Sequence, residues 1–228
     1  MRCAVRPPEY LPRLAYCALG FVADRVVLAD TLPYSRQSFQ NRARIRTPNP
    51  GGKRSARAWQ WLSVPLRSGA PGRPIHEVPI DAAAGWARRH EKALQFNYGT
   101  APFFHHYAPQ VAALWERPWE RLADLTAESV EWTLQALGAP AALLRASALP
   151  GRPARVPALL RAAGADVLVT LPESAERDRA HAEAAGVRLQ VVEVAEQPRR
   201  QNFEGFVPGL SALDLLMNYG SESAGLLQ

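Results

Sequence analysis

The sequence predicts an α/β fold: a mainly parallel sheet flanked by helices, with a helical cap or insertion near the middle of a single domain spanning residues 1–228. Three observations carry that reading. A strand, a turn, a helix and a second strand fit within the first 30 residues, strands and helices alternate again from residue 142 to 194, and the stretch from 82 to 137 changes to helical spacing. Residues 2 to 5 form a short apolar strand, stopped by Pro7-Pro8-Glu9-Tyr10-Leu11-Pro12. Leu14 to Phe21 suits a helix, and Val26-Val27-Leu28-Ala29 a buried strand closing at Asp30.

From Tyr34 to Arg46 polar and apolar residues mix without a clear period. Trp59 to Pro65 and Ile75 to Ile80 alternate with period two, which predicts strands; the Gly-, Pro- and Arg-rich gap between them predicts mobile loops. Helical spacing follows at Ala82 to Tyr98, Phe103 to Glu116 and Trp119 to Leu137, with Pro102 and Pro118 near two of the starts and Gly138-Ala139-Pro140 at the end. The last third reads as strand 142–146, helix 155–163, strand 167–171, helix 174–185 and strand 187–194.

Composition narrows the class. A chain of 228 residues that is 47% hydrophobic can bury a sizeable core, which excludes intrinsic disorder and a disulfide-stapled miniprotein. All but two of the 27 basic residues are arginine, the exceptions being Lys53 and Lys92. They are scattered, with no run of five, so the charge of +6 argues for compositional bias rather than a nucleic-acid partner. Cys3 and Cys17 are too few for a disulfide framework and lack metal spacing, which fits a reducing cytoplasm. The apolar run from Leu14 to Ala23 follows Arg2, Arg6 and Arg13 like a signal peptide. However, Glu9 and the prolines interrupt the basic region, and Asp24 and Arg25 end the run well short of the roughly 20 residues a membrane span needs.

Nucleophile elbows, Walker loops, G-x-G-x-x-G, H-E-x-x-H and EF-hand carboxylate patterns are all absent from the sequence, so no cofactor is identified and no metal is expected. His105 and His106 are adjacent on a helix and point about 100° apart, too far to chelate one ion. His90 stands four residues after Trp86, on the Trp-bearing face of a helix and beside Arg88 and Arg89. Its imidazole suits acid/base work or an anion donor, or equally a core histidine satisfied by a backbone carbonyl. The Pro8-Glu9-Tyr10 turn ends the first strand, and Asp30 closes the second at the same edge if the two are parallel, which is where open α/β sheets bind ligands. Tyr34, Arg36, Asn41 and Arg42 follow, offering aromatic, amide and guanidinium groups for a phosphate or carboxylate.

These stretches resemble the WbqC-like proteins. The family's opening Q-P-x-Y-F-P-x-x-G-Y, then D-x-V-Q-Y-x-K/R-x-x-W-x-N-R, is matched by Pro8 to Tyr16 and Asp30 to Arg42; its middle W-x-x-x-H and Y-x-x-x-P-x-F by Trp86 to His90 and Tyr98 to Phe104; its terminal F-x-P-x-L-S-x-x-D-x-L-x-N-x-G by Phe206 to Gly220. Pro7 and Pro33 replace family glutamines, Ala15 replaces a glycine, and Leu171-Pro172-Glu173-Ser174 stands where Gly-Gly-Tyr is expected, which removes two amide donors and a glycine-rich loop. The opening strands are also similar to the nucleotidyltransferase-like α/β fold of pantothenate synthetases, without its H-x-x-H.

The family's setting among surface-polysaccharide and specialised-metabolite gene sets implies a cytoplasmic, metal-independent transferase, acting on an amino or hydroxyl group of a sugar or metabolite with an activated acyl or nucleotide donor. On that implication His90 is the general base, with Tyr10 and Asp30 completing the catalytic set. Arg36, Asn41 and Arg42 hold the anionic part of donor or acceptor, and Tyr34 and Tyr98 contact substrate. The alternatives are a nucleotide-dependent activating enzyme and a non-catalytic ligand-binding protein. The expected partner is a small molecule or a carrier-bound donor. Pro8-Glu9-Tyr10, Asp30, Tyr34, Arg36, Asn41, Arg42 and His90 are expected to share one cleft.

Overall fold

The computed structural model describes residues 1–48 and 58–227. Five parallel strands form the main sheet: β1 (Arg2–Arg6), β2 (Arg25–Leu28), β5 (Ala142–Arg145), β6 (Val167–Thr170) and β7 (Arg188–Val191), in the spatial order β5-β2-β1-β6-β7. β1 is central, and from Cys3 onward its side chains are buried on both faces. Ala4 joins a cluster with Val26, Leu28 and Val169, whereas Cys3 and Val5 join a second with Val27 and Leu168. A parallel strand covered on both sides must be nearly continuous in its apolar residues, as Cys3-Ala4-Val5 is.

Helices α1 (Leu14–Val22) and α4 (Leu122–Leu137) cover the first face, and α5 (Val156–Ala162) and α6 (Ala175–Ala185) the second. α1 and α4 pack closely because Gly20 has no side chain: a Cβ there would lie 2.9 Å from Leu134 Cδ2. The chain leaves β1 through α1 toward β2 and later returns on the other side of β1 to form β6. The order in which strands are added therefore reverses between β1 and β6, at the kind of switch point where doubly wound sheets bind ligands.

Between β2 and β5 lie an antiparallel hairpin, β3 (Arg42–Arg46) with β4 (Trp59–Ser63), and helices α2 (Trp86–Tyr98), α3 (Phe104–Glu116) and then α4. Ala43, Ile45 and Leu62 of the hairpin belong to the first cluster, so this second sheet shares the core of the first. After β7 the chain crosses back to α7 (Ala212–Tyr219), whose Ser211 cap accepts from the Leu213 amide.

Several boundaries differ from the sequence reading. Ile75 to Ile80 is a 3₁₀ turn over Ile75–Glu77 rather than a strand, because Pro74 and Pro79 cannot donate to a ladder and make only isolated bridges to Pro33 and Arg121. α2 begins at Trp86 instead of Ala82, since Gly85 takes a left-handed φ of 59° that interrupts the helix. β3 and α7 were not assigned from the sequence.

Candidate functional site

From Pro8 to Pro12 the turn after β1 is buried, and its side chains join different networks. Tyr10 goes inward: its hydroxyl accepts from Trp115 Nε1 at 2.7 Å and lies 2.9 Å from His90 Nδ1, while His90 Nε2 lies 3.2 Å from the Ser63 carbonyl. A carbonyl can only accept, so Nε2 carries the proton and Nδ1 accepts from Tyr10. His90 is thus a neutral ring only 4% exposed, ringed by Trp86, Trp115 and Tyr10. Burial lowers its pKa to about 4, with Arg89 adding to the effect and the Ser63 carbonyl opposing it. Both ring nitrogens are engaged within the fold. Burial likewise raises the pKa of the Tyr10 hydroxyl.

The remaining sequence-predicted residues fall into further clusters. Asp30 is at the C-terminal edge as expected, but its carboxylate faces β5: it accepts from Ser147 N at 2.8 Å, Ser147 Oγ at 2.6 Å, and Arg145 Nε and Nη2 at 3.2 and 3.1 Å. That arrangement ties β2 to β5. Tyr34 donates to Asn41 Oδ1 at 2.9 Å, and Asn41 Nδ2 donates to the Val64 carbonyl at 2.9 Å, so the Asn41 amide pins the hairpin entry. Arg42 stacks over Trp61 at 4.2 Å and donates Nε to the Ser38 carbonyl, and Arg36 is exposed nearby in sequence. Tyr98 lies in yet another place. Its hydroxyl accepts from the Arg46 amide and donates to Asp214 Oδ1 at 3.1 Å. The structure brings Tyr10 to His90 and Tyr34 to Asn41, but it places Asp30 and Tyr98 in separate networks.

Glu9, in the same turn as Tyr10, is also buried, at 7% exposed. It caps the start of α1, accepting from the Arg13 amide and from Arg13 Nη2 at 2.8 Å. Burial lowers the Arg13 pKa, but Glu9, Glu173 and Glu196 outweigh it and leave it raised. Arg6 donates to Ser174 Oγ at 2.7 Å and faces Asp178 at 3.8 Å, so the switch point between β1 and β6 is lined with charge. Leu11, in the same turn, holds a left-handed φ of 42°, and its amide donates to Ser129 Oγ at 2.7 Å. Such a φ in a residue with a bulky side chain is strain that the surroundings must hold in place.

The segment 196–214 closes this edge. Ser211 N donates to the Arg44 carbonyl and Ala212 N to the Pro12 carbonyl, both at 2.8 Å, which seats the segment between β3 and the β1 turn. Gln201 is the hub. Its amide oxygen accepts from Arg46 Nε and the Val207 amide, and its nitrogen donates to Asp214 Oδ2 and the Val207 carbonyl. Arg46 is fully buried and spends its other donors on the carbonyls of Thr47, Ala58 and Glu204. Burial raises the Asp214 pKa to about 6, against the pull of Arg199, Tyr98, Gln201 and Arg46.

Along the hairpin, guanidinium and aromatic groups alternate. Arg13 lies 4.1 Å from Phe39, Arg44 is 4.4 Å from Trp59 and 4.9 Å from Trp61, and Arg42 packs on the Trp61 ring. Beyond Gln201 lies a groove of about 700 Å³, lined by residues 198–206 with Thr100, Pro102 and Asn218.

The sequence reading missed Arg13, Arg46, Arg199 and Gln201 as site residues. Asp214 could have been found, because it lies in the terminal motif and a lone acid among leucines on a helix must be partnered. Arg199 and Gln201 sit in an aperiodic segment that gives no such signal. Among the described residues no group of His, Cys, Asp and Glu is arranged to hold a metal ion, and no helix is long and apolar enough to cross a membrane.

Three comparisons bear on what this arrangement is for. The model of the WbqC-like protein family matches residues 7–225. The uncharacterized protein Rv1507c of Mycobacterium tuberculosis is 26% identical, over all of this chain and 97% of its own length. No solved structure matches.

Proposed function

This chain belongs to the WbqC-like protein family, and on that premise we propose that it is a transferase. It moves an acyl, aminoacyl or similar group from an activated donor to an amino or hydroxyl group of a sugar or specialised-metabolite intermediate. One observation supports the reading most. The turn at Glu9, the hairpin from Arg42 to Arg46, Tyr98 and the segment ending at Asp214 are far apart in sequence, yet they meet along one charged seam beside the switch point of a parallel sheet.

In this reading Glu9 takes the proton from the attacking amine or hydroxyl. The freed electron pair bonds to the donor's carbonyl carbon, and the leaving group departs with its own pair. Arg42 and Arg36 neutralise the anionic part of the substrate. His90 and Tyr10 hold the turn that aims Glu9, as positioning residues. Two free, buried cysteines support a cytoplasmic setting.

The test is incubation with activated acyl donors and amino-sugar acceptors, with the product identified by mass spectrometry. Glu9→Gln should lower kcat on the order of 10²-fold or more while leaving KM near wild type; equal turnover in wild type and Glu9→Gln removes Glu9 from the mechanism. A second reading is favoured by the strand order β5-β2-β1-β6-β7, which is that of doubly wound nucleotide-binding sheets: the chain activates its substrate with a nucleotide. Saturable ATP or CTP binding, with release of pyrophosphate or inorganic phosphate, would favour it over transfer from a preformed donor.

A further inference from the structure

The structure assigns the groove at residues 198–206 as an oxyanion site, with the Arg199 guanidinium taking the phosphate or carboxylate group of a small metabolite. The argument begins with hydrogen-bond accounting. Arg199 lines the groove and its side chain is only 10% exposed, yet buried Nε and Nη2 have no hydrogen-bond partner. Its ion partner is Glu196, with Nη2 and Oε2 at 3.5 Å, and that Oε2 is itself buried without a hydrogen bond. The other Glu196 oxygen is taken by the Gly209 amide at 3.0 Å, which holds the carboxylate to the loop.

A buried guanidinium in a loose ion pair contrasts with Arg46, each of whose guanidinium nitrogens finds a carbonyl or amide oxygen. Leaving charged donors unpaired in a buried place is unfavourable, and it recurs where a ligand is to supply the acceptor. Phe206 backs the guanidinium at 5.1 Å and limits its swing, and Gln201, fixed on four sides, holds the adjoining backbone. The site is therefore a held cation beside a cavity, whose lining also carries a second cation, Arg200, and Thr100 donating to Asn202 Oδ1. A planar fork of N–H donors matches two oxygens of a phosphate or carboxylate. In this view Glu196 is a competing internal anion that an incoming ligand displaces from Arg199. Binding here does not depend on any transfer reaction.

The test measures thermal stability and calorimetric binding of the full chain in inorganic phosphate, and separately in acetate, each against chloride at constant ionic strength. Wild type should show saturable stabilisation by one of the two anions, and the anion that works identifies the ligand as phosphate-bearing or carboxylate-bearing. Arg199→Gln should lose at least tenfold in that affinity. Glu196→Gln, which removes the competitor, should gain severalfold, and Arg179→Gln, an equal charge change on exposed α6, should bind as wild type does. If Arg199 merely balances Glu196, Glu196→Gln would weaken or leave unchanged the response to anions; that result overturns the assignment, as does an undiminished response in Arg199→Gln or no saturable binding to either anion. Should Arg199→Gln fail to fold, Arg199→Lys serves in its place: it keeps the charge but not the fork, and is expected to bind severalfold more weakly, whereas full affinity would overturn the fork geometry.

Discussion

Two buried polar centres, about His90 and about Arg46, are made by the same long insertion but solve burial in different ways. At His90 every group is neutral, and the hydrogen bonds run in one direction from Trp115 through Tyr10 to His90 and on to the Ser63 carbonyl. At Arg46 the groups are ionic, with an arginine closed by carbonyls and a carboxylate closed by Tyr98 and Gln201. The first centre joins α2 and α3 to the β1 turn, and the second holds the C-terminal segment on the hairpin. The difference teaches that a histidine amid aromatics is more secure as a neutral strut, whereas an ionic centre remains responsive to its neighbours, here Arg199 and Glu196.

The largest expected effect is at the ionic centre. Arg46→Ala removes a cation that three carbonyls, Gln201 and the field at Asp214 all depend on. Buried acceptors left without donors cost about 1–3 kcal/mol each, and breaking a buried ionic arrangement costs about 3–5 kcal/mol. We expect a loss in the upper part of that range, or about 10 °C in Tm for a domain of this size. Arg46→Lys should recover little of it, because an ammonium cannot reach acceptors spread around a planar fork. A loss under about 1 kcal/mol in chemical denaturation would mean that the two centres are not distinct in kind.

The next effect separates them by pH. His90 has a folded pKa of about 4, below the unfolded value of about 6.5, so its contribution is fully present above pH 6.5 and is lost as pH falls toward 4. Asp214 has a folded pKa of about 6, above the unfolded value of about 3.9; its contribution is fully present below pH 4 and is lost as pH rises through 6. The two therefore slope in opposite directions across the same window, each by up to about 3 kcal/mol. Relative to wild type, His90→Gln should lose most stability at pH 7 and least near pH 4, and Asp214→Asn should be least damaging at pH 7 and most damaging near pH 4. Urea midpoints at four pH values read both. Parallel profiles for the two variants would sink the assignment of one centre as neutral and the other as ionic.

The same contrast explains what could be read from the sequence. β1, β2 and β6 were legible because a strand buried on both faces is a nearly unbroken apolar run, and the edge strands β5 and β7 because they alternate with helices that keep 3.6-residue spacing. β3 was hidden: in Arg42-Ala43-Arg44-Ile45-Arg46 the alternation is present, but arginines stacked on tryptophans and one arginine buried outright do not look like either face of a strand. His90 stood out because histidine is rare and chemically versatile. Its carbonyl partner, Ser63, lies 27 residues upstream and is invisible to any local pattern. The motif residues Glu9 and Asp214 were in view, but their partners Arg13, Arg46 and Gln201 are fixed only by how the C-terminal segment folds back.

The smallest expected effect on stability carries the sharpest functional contrast. Arg42 is half-buried, stacked on Trp61 and bonded through Nε to the Ser38 carbonyl, so Arg42→Ala should cost about 0.5–1 kcal/mol, the range for an exposed cation–π contact. If Arg42 also holds the anionic part of the substrate, the same variant should weaken substrate binding by roughly 1.5–3 kcal/mol, the range for a hydrogen bond to a charged group. KM would then rise by about tenfold to a hundredfold with kcat little changed, as removal of uniform binding requires. Arg42→Lys tests geometry against charge, because an ammonium keeps the charge and loses the planar stack on Trp61. A variant whose KM and Tm both stay within error of wild type would leave Arg42 with no role beyond the hairpin surface, and the anion-holding role would pass from the hairpin to the seam at Arg13 and Arg199.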